Sequence, residues 1–155
     1  MSLLSNTFAN QTILVTGHTG FKGSWLAAWL HQLGANVVGY SLPDLPTTPS
    51  NFAAMRLEHC VTDIRGDIRD YAKLHQAIAE HKPSIIFHLA AQPIVLHAVH
   101  QPKETFDANT SGTVNLLEAV RTTHSVRAVV AITTDKVYRN QEWLWGYRES
   151  DTLGG

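Results

Sequence analysis

Cysteine is almost absent from this chain of 155 residues, because Cys60 is its only one. An intrachain disulfide is therefore excluded, and a reducing compartment is expected. Charge is also scarce: charged residues make up 16% of the chain, and the formal net charge is -1 at pH 7. This balance gives no reason to expect nucleic acid or an anionic membrane as a partner. Any recognition of phosphate then has to be local, built from backbone N–H groups and a few side chains.

Long apolar runs are lacking as well. No stretch approaches the length of a membrane span, and no segment has the basic start, apolar stretch and cleavage site of a signal peptide. The hydrophobic content of 44% is nevertheless that of a globular domain with a sizeable core. We therefore expect a cytoplasmic protein without a membrane or nucleic-acid partner.

Apolar runs of strand length alternate along the chain with helical periodicity. We predict strands at residues 12–16, 36–42, within 61–68, 84–89 and 127–133, and helices at 21–33, 71–81 and 103–123. Residues 51–58 form a short helix at best, and the three prolines of residues 43–50 indicate a loop. In the first helix, Trp25, Leu26 and Trp29 are predicted to face the core. The alternation predicts an α/β fold with a doubly wound parallel sheet of at least five strands.

Three glycines follow the first predicted strand at a regular spacing. Gly17, Gly20 and Gly23 form the pattern G-x-x-G-x-x-G between that strand and the first helix. Gly17 would permit a tight turn, Gly20 a close approach of a ligand, and Gly23 close packing of helix on strand. Backbone N–H groups and a helix N-terminus would then face a pyrophosphate. On the glycines alone, a loop that merely turns the chain remains an alternative.

Polar and small residues cluster where the five predicted strands end. In a doubly wound sheet, ligands bind beyond the carboxyl ends of the strands, so we expect these residues to form one site. The five ends are Gly17-His18-Thr19, Tyr40-Ser41-Leu42, Gly66-Asp67-Ile68, Leu89-Ala90-Ala91-Gln92 and Thr133-Thr134-Asp135-Lys136.

Three stretches narrow the class of protein: Gly17 to Leu26, His88 to Pro93, and Thr134-Asp135-Lys136 followed by Glu142 to Glu149. Together they resemble the extended short-chain dehydrogenase/reductases that modify nucleotide sugars, and among these the CDP-glucose 4,6-dehydratases. The resemblance implies a Rossmann-type domain, NAD as cofactor, CDP-glucose as substrate and a homo-oligomer. It also implies a lyase that makes precursors of bacterial surface polysaccharides. Hydride would leave C4 of the hexose for NAD, water would be lost across C5 and C6, and hydride would return to C6.

The resemblance further implies roles for individual residues. Thr134 would hydrogen-bond the C4 oxygen of the sugar, Asp135 would be the acid at C6, and Lys136 would be a base or would stabilise an enolate. Cofactor contacts are implied at Gly17, His18, Thr19, Gly20, Phe21, Lys22, Gly23, Ser41, Asp67, Ile68, Leu89, Ala90, Ala91, Gln92 and Asn109. Purely structural alternatives stay open: Asp67 could cap the next helix, and Asp135 could form only a surface ion pair with Lys136. We predict no metal site, since the histidine pair His97 and His100 has no acidic or cysteine ligand motif beside it.

Two family features are missing from the sequence. No carboxylate ends the second strand, where Ser41 or the nearby Asp44 would have to serve instead, so the preference for NAD over NADP is open. No tyrosine is followed four residues later by a lysine, although in this family that motif comes just after a pair such as Gly154-Gly155. We therefore expect residues 1–155 to be an incomplete N-terminal dinucleotide-binding domain without the sugar-nucleotide-binding part, inactive alone. An epimerase or reductase of the same superfamily and a non-catalytic NAD-binding domain are the alternatives.

Overall fold

The computed structural model describes residues 7–134 and 136–154. Within these ranges it contains a five-stranded sheet with the strand order β3-β2-β1-β4-β5, in which each neighbouring pair is parallel. The strands are β1 (Thr12–Thr16), β2 (Asn36–Ser41), β3 (Thr62–Arg65), β4 (Ile85–His88) and β5 (Ala128–Ala131). The predicted parallel sheet is therefore confirmed: β3 lies within its predicted range, and β2, β4 and β5 are shorter than predicted.

Helices connect the strands. They are α1 (Phe21–Gln32), α2 (Asn51–Ala54), α3 (Tyr71–His81), α4 (Val95–His100), α5 (Pro102–Phe106) and α6 (Gly112–Arg121), with a 3₁₀ turn at Leu57–His59 and a π-helical turn at Asp107–Ser111. The predicted helices at 21–33 and 71–81 are confirmed, whereas the sequence pattern does not predict α4. None of the helices described is long and apolar enough to cross a membrane.

The sheet is covered on both faces, as a doubly wound fold requires. Successive residues of β1 point to opposite faces, and Leu14 packs with α3 and α6, whereas Ile13 packs with α1. The first core layer contains Leu14, Val38, Tyr40, Ile68, Leu74, Ala77, Ile78, Ile86, Leu116 and Ala119. The second contains Ile13, Val15, Ala27, Leu30, Ala35, Val37, Phe52 and Leu57. Burial on both faces explains why the central strands are almost uninterrupted apolar runs.

The predicted core face of α1 is wrong for Trp25 and Trp29, whereas Leu26 is partly buried and packs against the second core layer. Trp25 and Trp29 are 57% and 53% exposed, and the residues that α1 buries are Gly23, Ser24, Ala27 and Leu30. The reason is the close approach of the helix to the glycine loop: a Cβ atom on Gly23 would lie 2.1 Å from the Gly17 carbonyl oxygen. Only a stripe of small residues fits there, and the two tryptophans lie on the opposite side of the helix.

Candidate functional site

The glycine loop has the geometry that the spacing predicts at its two ends. Gly17 has a φ of 73°, and its N–H donates to the Tyr40 carbonyl oxygen at 2.8 Å. A Cβ atom on Gly17 would lie 2.8 Å from the Ala90 nitrogen. Gly17 is thus required both for the turn and for contact with the chain after β4, while Gly23 allows α1 to pack against the loop. The first and fourth strand ends are in direct contact.

The N-terminus of α1 leaves backbone donors free of helical partners. Gly20 is the N-cap and contributes no side-chain hydrogen bond, and the Ser24 N–H is the first to reach a helical acceptor, the Gly20 carbonyl oxygen, at 2.9 Å. The N–H groups of Phe21, Lys22 and Gly23 precede that bond. No acidic residue stands in the first turn. Together with the helix dipole, these donors favour an anion such as a pyrophosphate at this position.

The His18 side chain is buried beneath the loop rather than turned outward. Its Nε2–H donates to Asp63 Oδ1 at 3.0 Å, so in the neutral ring Nδ1 accepts from the Ser41 hydroxyl at 2.8 Å. The ring meets Phe52 edge-on, with centroids 5.2 Å apart. Burial lowers the pKa of His18, although Asp63 opposes the shift. His18 therefore supports the loop from below, and its backbone is what remains for a ligand.

Ser41, predicted to contact the cofactor, is also buried and bonded to the loop. Its Oγ accepts from the Thr19 N–H at 3.3 Å, in addition to its contact with His18. Beside it, Arg65 donates from Nη1 to the Leu42 carbonyl oxygen at 3.3 Å and from Nη2 to Asp63 Oδ2 at 2.7 Å. The sequence reasoning missed Asp63 and Arg65. Their spacing of two residues on β3, which puts both on the same face, is the signal that could have found them.

The third strand end is shaped by Tyr40. Its hydroxyl donates to the Asp67 carbonyl oxygen at 3.1 Å, and burial, followed by Asp70 and Asp67, raises the pKa of Tyr40 to about 12. The Asp67 carboxylate accepts from the Arg69 guanidinium and backbone N–H, and the hydrogen bonds from Arg69 lower the pKa of Asp67. The alternative that Asp67 caps the next helix is wrong, because Asp70 is the N-cap of α3 and accepts from the Lys73 N–H.

Ile68 lies beside Asp67 but is turned into the core. Its side chain is buried in the layer under α6, and a Cβ atom on Gly112 would come within 2.5 Å of it. Its carbonyl oxygen accepts from Asn115 Nδ2 at 3.0 Å. The Ile68 side chain is therefore occupied with packing.

The fourth strand end, Leu89 to Gln92, is fixed by side chains from β1 and from the π-helical turn. The N–H groups of Leu89 and Ala90 both donate to Thr16 Oγ1 at 3.2 Å. The Asn109 amide group clamps the Gln92 backbone: Oδ1 accepts from the Gln92 N–H at 2.7 Å, and Nδ2 donates to the Gln92 carbonyl oxygen at 3.0 Å. The Gln92 side chain in turn bonds Ile94 and Thr105. Asn109 thus shapes the strand end through the backbone.

The fifth strand end carries the residues predicted to be catalytic. The Ile132 N–H donates to the His88 carbonyl oxygen at 3.0 Å, so this end continues beside the fourth. Thr134 and Lys136 are both exposed, and the Lys136 N–H donates to Thr134 Oγ1 at 3.1 Å. Asp135 lies outside the described residues, so its predicted role and its alternative ion pair with Lys136 both remain predictions.

Four aromatic rings stack in the segment that follows. Tyr138 stacks on Tyr147 with centroids 5.3 Å apart, and Trp143 stacks on Trp145 at 5.6 Å. Trp143 also packs against Tyr147 at 5.3 Å, and an antiparallel bridge joins Tyr138 to Leu153. The stack closes the chain after Lys136 into a compact loop.

Three histidines in the described part of the chain, His18, His88 and His97, have polar partners within the protein. No group of three or more histidine, cysteine, aspartate or glutamate residues in those ranges is arranged to hold a metal ion. His97 Nε2 lies 3.2 Å from Glu104 Oε2.

A five-stranded parallel sheet with a glycine loop between β1 and the N-terminus of α1 defines a Rossmann-type fold. The sequence profile of the family described as GDP-mannose 4,6 dehydratase matches residues 14–149. The chain belongs to this family.

Individual relatives agree with this assignment. The chain is 53% identical, over 97% of its length, to a CDP-glucose 4,6-dehydratase of Salmonella typhimurium, and it spans 42% of that protein. The UDP-glucose-4-epimerase of Stenotrophomonas maltophila, solved with bound NAD and formylated UDP-arabinopyranose, superposes with a TM-score of 0.80 at 27% identity, covering 94% of this chain and 43% of that one. The UDP-glucose 4-epimerase of Brucella ovis, in complex with NAD, gives a TM-score of 0.78 at 29% identity, with coverages of 94% and 42%.

Proposed function

We propose that the chain is the dinucleotide-binding part of a nucleotide-sugar 4,6-dehydratase that acts on CDP-glucose with NAD as cofactor. The observation that carries the proposal is the 53% identity to the Salmonella typhimurium CDP-glucose 4,6-dehydratase over 97% of this chain. Two structural relatives that share the fold are described with NAD, which supports the choice of cofactor. The sugar-nucleotide-binding part would lie in the portion of the relatives that this chain does not span.

The glycine loop fits such a cofactor. Side chains at Gly17 and Gly23 would collide with backbone, and the free N–H groups at the start of α1 match a pyrophosphate in charge and direction. Asp67 and the backbone of Ile68 would contact the adenine end, and Leu89 to Gln92 would border the nicotinamide. When bound, NAD supplies a hydride acceptor at C4 of the hexose and later a donor at C6.

Residues after β5 would handle the protons of the reaction. Thr134 Oγ1 accepts from the Lys136 N–H, so the hydroxyl proton of Thr134 is directed elsewhere and would serve the sugar C4 oxygen. A ketone at C4 makes the C5 proton acidic, and its removal needs a base or a group that stabilises the enolate. Lys136 takes this role in the proposal, and Asp135 protonates the departing C6 hydroxyl.

Further parts of the proposal concern the whole protein. We propose a homo-oligomeric, cytoplasmic enzyme that supplies deoxysugar precursors for surface polysaccharide. The sequence holds no Tyr-x-x-x-Lys motif, so turnover would require a chain of the relatives' length.

Calorimetric titration of the chain with NAD tests the cofactor half. Wild type should bind, and Gly23→Ala should not, because its Cβ would lie 2.1 Å from the Gly17 carbonyl oxygen. Gly146→Ala is the matched control, since nothing lies within 4 Å of a Cβ at that position. Absence of heat with wild type at millimolar NAD would overturn the cofactor assignment for this chain.

An epimerase is the second candidate, favoured by the epimerase structures that share the fold. The two activities separate in an assay of the gene's full reading frame with CDP-glucose. A dehydratase gives a 4-keto-6-deoxy product that absorbs in the ultraviolet in base, whereas an epimerase gives none. The sequence Thr134-Asp135-Lys136 favours the first outcome, because epimerases of this superfamily usually carry a serine-rich stretch there.

A further inference from the structure

Two residues anchor the segment Leu89 to Gln92 by hydrogen bonds, Thr16 at its start and Asn109 at its end. His88, at the end of β4, lies between them. Its Nδ1 is 2.7 Å from Thr16 Oγ1, the atom that receives the Leu89 and Ala90 N–H groups. Its Nε2 is 3.0 Å from Thr113 Oγ1. The Thr113 hydroxyl donates at 2.7 Å to the carbonyl oxygen of Asn109, whose side chain clamps Gln92. Both anchors therefore converge on one buried imidazole.

The hydrogen bonds that join Thr16, His88, Thr113 and Asn109 form a relay. The direction of each bond follows from the groups at the two ends of this relay. The Thr113 hydroxyl proton is committed to the Asn109 carbonyl oxygen, so Thr113 Oγ1 can only accept from His88 Nε2–H. At the other end Thr16 Oγ1 accepts two backbone N–H groups, so its own proton goes to His88 Nδ1. The relay thus requires the neutral imidazole with its hydrogen on Nε2. Burial of the ring lowers the pKa of His88, which agrees with this form.

We propose that His88 is the positioning residue of this segment: its neutral imidazole ties Thr16 to Thr113 and holds residues 89–92 in the conformation that receives the nicotinamide end of the cofactor. The proposal rests on the proposed function for the identity of that ligand. The relay itself is a property of the chain alone. Its loss should let the segment populate other conformations, and the apparent affinity for NAD falls with the fraction that remains competent.

The test compares Thr113→Val with Thr113→Ser. Valine keeps the shape but removes the hydroxyl from the relay, whereas serine retains it. For T113V we expect NAD binding about tenfold weaker, and exchange of the Gln92 amide hydrogen about tenfold faster, as for the loss of one buried hydrogen bond. T113S should restore both. Ile86→Val, a core truncation on β4 that leaves the relay intact, controls for a general loss of stability. It should leave the NAD affinity unchanged and should not speed exchange of the Gln92 amide hydrogen more than that of other amides.

A second variant and a measurement on wild type keep the inference testable if T113V does not fold. His88→Gln retains a donor near Nε2 but loses the Nδ1 acceptor, so the Ala90 amide should exchange faster. The Leu89 amide, which also donates to the Thr16 carbonyl oxygen at 3.1 Å, and the Gln92 amide should stay protected. Nitrogen NMR of wild type should show His88 as the neutral Nε2–H tautomer. A protonated ring or the other tautomer at neutral pH would overturn the proposal, as would T113V with unchanged Gln92 exchange. If wild type binds no NAD, the cofactor assignment fails, and the amide exchange and the tautomer still decide the role of His88.

Discussion

At the scale of single residues, Gly39 on β2 makes room for the histidine of the glycine loop. A Cβ atom at Gly39 would lie 2.3 Å from the His18 ring, and that ring is enclosed by Ser41, Asp63 and Phe52. The ring cannot move away without breaking hydrogen bonds at both nitrogens. Gly39 is thus as necessary to the loop as the glycines within it, although it stands outside their pattern.

Replacing Gly39 by alanine should therefore destabilise the fold. Overpacking in an enclosed core costs about 1–3 kcal/mol, and we expect a loss of unfolding free energy in that range, with weaker NAD binding because the loop shifts with His18. Urea unfolding followed by circular dichroism gives the first quantity, and calorimetry gives the second.

The exposed position Gly146 provides the control for this substitution. Gly146→Ala meets no atom within 4 Å and should change stability by less than about 1 kcal/mol. A double-mutant cycle assigns the effect to the ring: in a His18→Ala background, Gly39→Ala should cost much less. An equal cost in both backgrounds would show that the collision is not with His18.

At the scale of the elements, strands were easier to predict than the faces of helices. The central strands are continuous apolar runs bounded by glycine or polar residues, and both burial faces contribute to that signal. In α1 the tryptophans recur at helical spacing, but both are exposed, so this apolar periodicity does not mark the buried face of the helix. The buried stripe is set by the carbonyl of Gly17, which lies 2.1 Å from where a Cβ of Gly23 would be. That contact joins a loop to a helix, so the spacing of apolar residues in the sequence does not indicate it.

The helical run over Pro102 to Arg121 shows a second limit of sequence prediction. Its extent follows from the apolar spacing, but the π-helical turn at Asp107–Ser111 does not. This turn carries Asn109, whose amide group bonds the backbone of Gln92. π-helical turns are frequent at functional sites. The family resemblance implies a cofactor contact at Asn109, but only the fold shows that its amide group bonds the backbone after β4.

At the scale of the whole molecule, two buried histidines make stability depend on pH. Burial lowers the pKa of both His18 and His88 from the ordinary value of 6.5. Above that value both rings are neutral in the folded and unfolded chains, and their contribution is constant. As the pH falls below it, the unfolded chain takes up protons that the folded chain does not, so the free energy of unfolding decreases.

We expect this loss to approach about 1.4 kcal/mol per pH unit for each histidine until the pH reaches its folded pKa. Urea titrations at several values between about pH 7.5 and pH 5 measure the slope. His88→Gln removes one of the two groups and should reduce the slope, whereas His59→Gln, at an exposed position, should not. A free energy of unfolding that stays level across this range would contradict the burial of neutral rings.

Apolar side chains on three consecutive helices are exposed to solvent. The exposed ones on α4, α5 and α6 are Val95, Leu96, Val99, Phe106, Val114 and Leu117. Val114 and Leu117 are 58% and 50% exposed although they stand on a helix whose other face is in the core. Exposed apolar surface of this kind favours association in water, and we expect concentration-dependent oligomers in light scattering.

Because these side chains contribute little to the core, Val114→Gln with Leu117→Gln should shift the chain toward monomer without unfolding it. Leu144→Gln, at a fully exposed position after β5, should leave the oligomers in place. A wild-type chain that remains monomeric at high concentration would show that this surface does not drive assembly.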